Sequence, residues 1–369
     1  MRAHAEAGPI DGQALDRNAR GCALTPFIAG YLVQDGLANG AIYCLLALAI
    51  VFVFTVTRVI LIPQGDFVSY AALTYAFLRD GRTPGTAGFV VALVVLALGV
   101  EALRGAAGGD TRAALMSAAK DSVFPLVMAA LTIAGSHVAL PALVDAALTV
   151  GLIASMGPLL YRLVFRPLAA ASTLVLLMVS VALHLALVEM GLYFFGPGGA
   201  HTDPLVVVPM AIGGVPIQAQ SLIIVATLAL LIVVLSLASR KTLYGKALRA
   251  AAINPVGARL MGVSAAMAGR IAFFGAAMIG AISGVLISAV TTITYDTGFL
   301  LGLKGFEAAV VGGLAIYPLA ALGALGIGLA ESFAAFFASA YKDAIVFALI
   351  IPALLWRSFL AGGVEEDEE

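Results

Sequence analysis

Residues 239–270 read SRKTLYGKALRAAAINPVGARLMGVSAAMAGR. The stretch holds Arg240, Lys241, Lys246, Arg249, Arg259 and Arg270, and neither Asp nor Glu. Strongly apolar segments, 221–238 and 271–290, flank it. A basic connection between two membrane spans stays in the cytoplasm, because Lys and Arg are retained there during insertion. This connection also carries structure of its own. Asn254 before Pro255 reads as an N-cap with proline at the first helical position. Gly262 supplies the stop. A short helix of about residues 255–261 is therefore expected, with Gly257, Ala258, Arg259, Leu260 and Met261 in its body. Such a helix suits docking of a soluble partner. The competing reading is an interfacial helix resting on anionic membrane lipid.

Composition sets the class. Of 369 residues, 62% are hydrophobic and only 11% charged, with a mean hydropathy of +1.07. Soluble domains carry about 25% charged residues. The apolar runs are long and continuous, whereas a β-barrel shows alternation in short strands. The fold class is thus an all-α polytopic membrane protein. Forty glycines suit helices that pack closely in lipid. A net charge of −1, with no basic patch interleaved with aromatics, gives no sign of nucleic acid. Cys22 and Cys44 form no disulfide framework. His4, His137, His184 and His201 lack metal-ligand spacing, and each reads as a packed or surface histidine. The chain has no phosphate loop, H-E-x-x-H or nucleophile elbow, so no catalytic residue or cofactor is expected. If ATP drives this protein, another chain hydrolyses it.

Along the chain, residues 1–35 read as a tail with an interfacial helix near 24–34 and without the pattern of a signal peptide. Spans follow at about 37–57, 60–78, 87–103, 122–140, 141–161 and 172–195. Further spans lie at about 221–238, 271–290, 296–316, 318–338 and 341–356, giving about eleven. Residues 104–140 look like an inserted polar loop and part of a helical hairpin. The loop 196–220 holds Asp203 and no Lys or Arg, so it belongs outside. Basic turns at Arg58, 104–121, 162–166, 239–270 and Arg357 fall on one side when spans alternate. That places the N-terminus outside and the C-terminus in the cytoplasm. The transmembrane domain covers 36–360, and 361–369 is a solvated acidic cytoplasmic tail.

Ionisable groups within spans cost roughly 2.5–3.5 kcal/mol each at mid-helix, so they mark candidate functional positions. They are Asp66, Glu189, Lys304, Glu307 and Glu331. Lys304 and Glu307 are three apart on one helix face and are expected to pair, as a pathway lining or as a structural ion pair. The second span is interrupted by Pro63, Gln64, Gly65 and Asp66. A broken helix at membrane depth lines a cavity or protein interior, since lipid cannot satisfy its backbone. Tyr43, Gln64, Asp66, Glu189, Lys304 and Glu307 are the candidate pathway residues, although packing alone explains Tyr43. Gly36/Gly40, Gly280/Gly284 and Gly298/Gly302 have the spacing of close helix contacts. One helix break is evident, without a matched partner.

Four stretches carry a resemblance. They are Gly36–Asp66, the triplet Arg166-Pro167-Leu168, Gly245–Gly262, and Leu303–Ser332 followed by Tyr341-Lys342-Asp343. In order and spacing they resemble the membrane permeases of ABC importers for branched-chain amino acids, the Liv type. The chain departs from that pattern at Leu61–Gly65, where the family has N-F-A-H-G. It departs again at Ile253 and Val256, which are usually acidic, at Glu307, and at Arg357–Ala361. The hairpin at 104–140 has no counterpart in that pattern, and the chain resembles a divergent member of the family. The resemblance implies an inner-membrane permease subunit for branched-chain or related amino acids, with no catalysis of its own. It also implies three partners: cytoplasmic ATP-binding-cassette ATPase subunits, a second homologous permease and an extracytoplasmic substrate-binding protein. The residues by themselves leave two alternatives, an ion-coupled secondary transporter or channel using Asp66, Glu189, Lys304 and Glu307, and a non-transporting scaffold. Paired broken helices would favour the first of these.

Overall fold

The computed structural model describes residues 25–108, 111–169, 171–206, 210–212, 215–314, 317–352 and 354–355. Most of the N-terminal tail, Arg357 and the acidic tail lie outside the described residues.

Helix α1 spans Pro26–Thr57. Thr25 caps it through its hydroxyl, and Pro26 opens its first turn. Nothing between 26 and 37 breaks the helix, so the expected interfacial segment and first span are one continuous element. Arg58 closes α1 in the left-handed region at φ 59°, with its N–H on the Phe54 carbonyl. Helices α2 (Gln64–Arg79), α3 (Gly85–Gly108) and α4 (Thr111–Gly135) follow. The polar loop expected at 104–121 is therefore largely helical, the end of α3 and the start of α4. Helix α5 (Ala142–Leu160) runs on through a π turn, Tyr161–Phe165, and a 3₁₀ turn, Arg166–Leu168. Helix α6 (Thr173–Phe195) leads to a small hairpin, β1 (Met210–Ile212) with β2 (Val215–Ile217). Helices α7 (Ala219–Lys241), α8 (Leu243–Ile253) and α9 (Pro255–Leu260) come next. The chain continues with α10 (Ala265–Ile287), α11 (Thr297–Val311), α12 (Tyr317–Phe337) and α13 (Lys342–Ala348).

Among the described residues, eight helices are long and apolar enough to cross a membrane: α1, α3, α4, α5 with its extension, α6, α7, α10 and α12. The other three of the eleven expected positions hold shorter helices. Helix α2 has 16 residues and α11 has 15, while α13 has 7, with helical structure resuming at 350–352 and 354–355. At 1.5 Å per residue the first two reach about 24 and 22 Å, less than the ~30 Å hydrocarbon core. They are interior half-helices rather than full spans.

The core centres on α1, which packs on α12, α10 and α11, while α10 also packs on α5 and α2. Small residues permit this closeness. A Cβ on Gly36 or Gly40 would press on the α12 backbone at Leu329 or Leu325. Gly280 and Gly284 meet α2 in the same way, so the glycine spacing does mark helix contacts. At one end an ion network ties α3 and α4 to α5 and α10. Glu101 accepts from Arg162 at 3.1 Å, Arg166 at 3.0 Å and Arg104 at 3.3 Å. Asp121 accepts from Arg162 at 3.2 Å and also pairs with Arg270. Arg58 lines the same groove as Tyr161, Ala251 and Arg259. The basic turns at Arg58, 104–121, 162–166 and 239–270 thus gather at one end. At the other end Arg79 pairs with Asp145 at 3.1 Å, and Ala200 bridges Ile293.

Candidate functional site

The break at Pro63 has a matched partner that the sequence reading missed. Residues 58–63 enter the protein from the basic end without helical structure, and α2 starts at Gln64. Ile62 donates its N–H to Ser180 Oγ at 2.9 Å, and Asp66 meets His184. Both partners sit near the middle of α6, so α2 begins well inside the protein. Residues 288–296 enter from the opposite end, and α11 starts at Thr297. The two half-helix N-termini meet: a Cβ on Gly65 would overlap the Gly298 carbonyl oxygen. Ser69 Oγ accepts from the Gly298 N–H at 2.7 Å and donates to the Thr294 carbonyl at 3.2 Å. Hydroxyls and buried backbone satisfy here what lipid could not. The second break carries no proline; Thr291, Thr292 and Thr294 disfavour helix only weakly, which hid it.

Around this junction sit three of the expected pathway residues or their partners. Gln64 donates to the Ala276 carbonyl at 3.0 Å, while its Oε1, fully buried, has no hydrogen-bond partner among the described residues. The Asp66 carboxylate lies in the first turn of α2, where the helix dipole favours an anion. It holds His184 Nδ1 at 2.8 Å, and the imidazole stacks on Phe299 at 4.5 Å between ring centroids. His184 is therefore part of this cluster and not a bystander. The signal was present: Ser180 and His184 lie four apart on one face of a largely apolar helix. Beside them opens a groove of about 380 Å³ lined by His184, Val188, Thr294, Asp296 and Phe299. Glu189, by contrast, is exposed on the outer face of α6, away from the junction.

A second cluster corrects the expected Lys304–Glu307 pair. Lys304 Nζ donates to Glu331 on α12 at 2.5 Å and to Asp343 on α13 at 3.0 Å. The Tyr43 hydroxyl donates to the other Glu331 oxygen at 2.5 Å. The lysine chain reaches across to neighbouring helices, where two carboxylates and a phenol surround it, in preference to a carboxylate on its own helix. Both Glu307 oxygens are buried, with no hydrogen-bond partner among the described residues. Tyr43 is thus an anchor of a polar cluster as well as a packing residue.

The third element is α9. Asn254 Oδ1 accepts from the Gly257 N–H at 2.9 Å, Pro255 opens the helix, and Gly262 follows it at φ 85°. The cap, the proline and the glycine stop stand where the sequence places them. Val256, Leu260 and Met261 project outward, the last two 83% and 85% exposed. Arg259 is exposed beside them. Ala258 points the other way, packed with Leu248, Ala251 and Ala268. It roots α9 on α8 and α10 and is not available for close approach by a partner.

Comparison with known proteins agrees with this architecture. Residues 32–354 match the family described as branched-chain amino acid transport system, permease component. The permease protein BraD of a high-affinity branched-chain amino acid transport system of Pseudomonas aeruginosa is 34% identical over 149 residues, 40% of this chain and 48% of the relative. The corresponding LivH proteins of Escherichia coli K12 and Salmonella typhimurium are each 37% identical over 134 residues, 36% of this chain and 43% of theirs. The matched stretch spans about half the length of these curated relatives. No solved structure matches the chain.

Proposed function

We propose that this chain, which belongs to the branched-chain amino acid transport system permease family, is the membrane-spanning subunit of an ATP-driven importer for branched-chain or related amino acids. Its multi-pass helical form supports placement in an inner membrane. The observation that carries the proposal is α9. It is a capped helix at the basic end, rooted by Ala258 and exposing Leu260 and Met261. Since the chain has no phosphate-loop motif, the energy-transducing partner is a separate ATPase, and α9 is its docking site, the coupling helix. Exposed apolar side chains on a rigid mount suit transmission of rigid-body motion into α7 and α10. A second, homologous permease and an extracytoplasmic substrate-binding protein complete the assembly. The translocation pathway passes the junction of α2 and α11, with Gln64 and Asp66 at its wall. Tyr43, Lys304 and Glu307 support the wall from behind, and Glu189 faces outward to the second permease.

An ion-coupled carrier working without an ATPase is the second reading. The matched breaks at 58–63 and 288–296 favour it, since inverted pairs of broken helices are a feature of such carriers. Proteoliposomes separate the two. The permease, its ATPase, the second permease and the binding protein are reconstituted, and uptake of labelled leucine, valine and alanine is followed. Uptake that needs ATP and survives collapse of ion gradients supports the importer. Uptake by the permease alone, driven by an ion gradient, overturns it.

A further inference from the structure

Between α1, α7, α8 and α12 runs a groove of about 420 Å³ that opens at the basic end. Its walls are apolar, with Leu48 and Phe52 from α1 and Ile232 and Leu235 from α7. From Leu48 to the mouth at Thr55 the groove follows α1 for seven residues, about 10 Å. It therefore reaches inside the membrane-spanning layer, beyond the reach of a soluble protein. At the mouth stand Arg240 and Arg249, both exposed. Among the described residues neither makes an ion pair, and residues 239–270 hold no acid to supply one. Four other arginines of the basic end differ, while Arg58 and Arg259, likewise without an ion pair among the described residues, line a separate groove. Arg104, Arg162, Arg166 and Arg270 all have carboxylate partners.

The corner between α7 and α8 fixes this mouth. Thr242 caps α8 by accepting from the Gly245 N–H at 3.0 Å. A Cβ on Gly245 would overlap the Ala238 carbonyl, so α8 folds tightly back on the end of α7. Its Leu248 and Ala251 turn inward, leaving Arg249 beside Arg240 at the groove. The basic loop is thus divided: α9 presents apolar knobs beside Arg259, whereas the α7–α8 corner presents Arg240 and Arg249, without ion pairs among the described residues, above an apolar slot.

We infer that this groove holds one anionic phospholipid, its phosphate on Arg240 and Arg249 and an acyl chain in the slot between α1 and α7. Guanidinium groups bind phosphate with charge-assisted hydrogen bonds, and basic pockets between spans recruit anionic headgroups. Burial of the chain against Leu48 and Leu235 adds an apolar contribution that a soluble anion lacks. The inference rests on the helices and their charges and stands apart from the transport reading.

Native mass spectrometry of the full chain in detergent tests it, with dioleoyl phosphatidylglycerol and dioleoyl phosphatidylcholine as the probes. One phosphatidylglycerol should be retained per chain at least about tenfold more tightly than phosphatidylcholine. Arg240→Gln with Arg249→Gln should abolish that preference. Ser236→Trp, placed in the groove wall with both arginines kept, should weaken retention of both lipids. Unchanged thermal unfolding of the variants shows that they fold. Equal affinity for the two lipids, or an unchanged preference in the double variant, overturns the inference. Displacement of phosphatidylglycerol by inorganic phosphate at comparable concentration also overturns it, because the acyl chain would then contribute nothing. Loss of ATPase recovery in the double variant, with lipid retention intact, would assign the mouth to a protein partner instead.

Discussion

Lys304 on α11 and Glu331 on α12 form a buried ion pair at 2.5 Å, with Asp343 at 3.0 Å from the same ammonium and the Tyr43 hydroxyl on the same carboxylate. The cluster joins α1, α11, α12 and α13 where lipid or apolar packing would give no directional hold. Removing one member leaves an uncompensated charge in low dielectric. Lys304→Met alone should therefore destabilise the protein by about 3–5 kcal/mol, and Lys304→Met with Glu331→Gln by much less. A double-mutant cycle on detergent unfolding measures this. Additive losses would show that the two groups do not support each other.

Glu307 should behave in the opposite way. Among the described residues its buried carboxylate has no hydrogen-bond partner, so it contributes desolvation cost and no hydrogen bond, with the Lys304 charge as its electrostatic neighbour. Glu307→Gln should leave stability unchanged or raise it by about 1 kcal/mol. A loss as large as that from Lys304→Met would mean that Glu307 has a partner in the working protein.

The contact of Gly65 with Gly298 sets the geometry of the two half-helices. Gly65→Ala places a methyl group on the Gly298 carbonyl, where only backbone can yield. The cost should be at least about 2 kcal/mol, with loss of uptake. Gly88→Ala is the control, since nothing lies within 4 Å of its Cβ position. Equal behaviour of the two variants would remove the junction from the argument.

Asp66 and His184 meet at that junction at 2.8 Å. Asp66→Asn keeps the shape and a hydrogen bond but removes the charge. Uptake should fall about tenfold or more, equivalent to about 1.4 kcal/mol, while recovery of the ATPase with the permease stays normal. Wild-type uptake would exclude a role for this charge in translocation.

How much of this was legible in the sequence follows from what each signal depends on. The all-helical membrane class rested on composition, which no packing detail can reverse. The α9 cap rested on local chemistry, Asn254 and Pro255 with a glycine stop, and the structure reproduces it. Three-residue spacing could not identify the partner of Lys304, because a long side chain chooses among neighbouring helices and the sequence does not place those. The break before α11 escaped because its residues carry no proline. The continuity of α1 through 26–37 escaped because polar Gln34 and Asp35 mimic an interface. Asp35 in fact accepts from Ser332 on α12 at 3.1 Å.

Orientation is testable without a transport assay. The basic turns at one end predict that a reporter fused after Val364 is cytoplasmic and one inserted at Gly199 is external. A cytoplasmic reading at Gly199 would invert the molecule and remove α9 from reach of a cytoplasmic ATPase.

Docking through α9 is decided by which of its side chains matter. Gly257 is a poor probe, because a Cβ there meets the Asn254 side chain at 3.1 Å and would disturb the cap itself. Leu260 and Met261 are better, being exposed and free of internal packing. The measurement is recovery of the ATPase with the permease, purified from membranes holding equal amounts of each permease variant. Leu260→Glu with Met261→Glu should reduce recovery at least about tenfold, whereas Arg259→Gln should cost no more than about fivefold, since an exposed ion pair contributes ~0–1 kcal/mol. Normal recovery with the double glutamate variant, or a larger loss from Arg259→Gln, would contradict docking by α9.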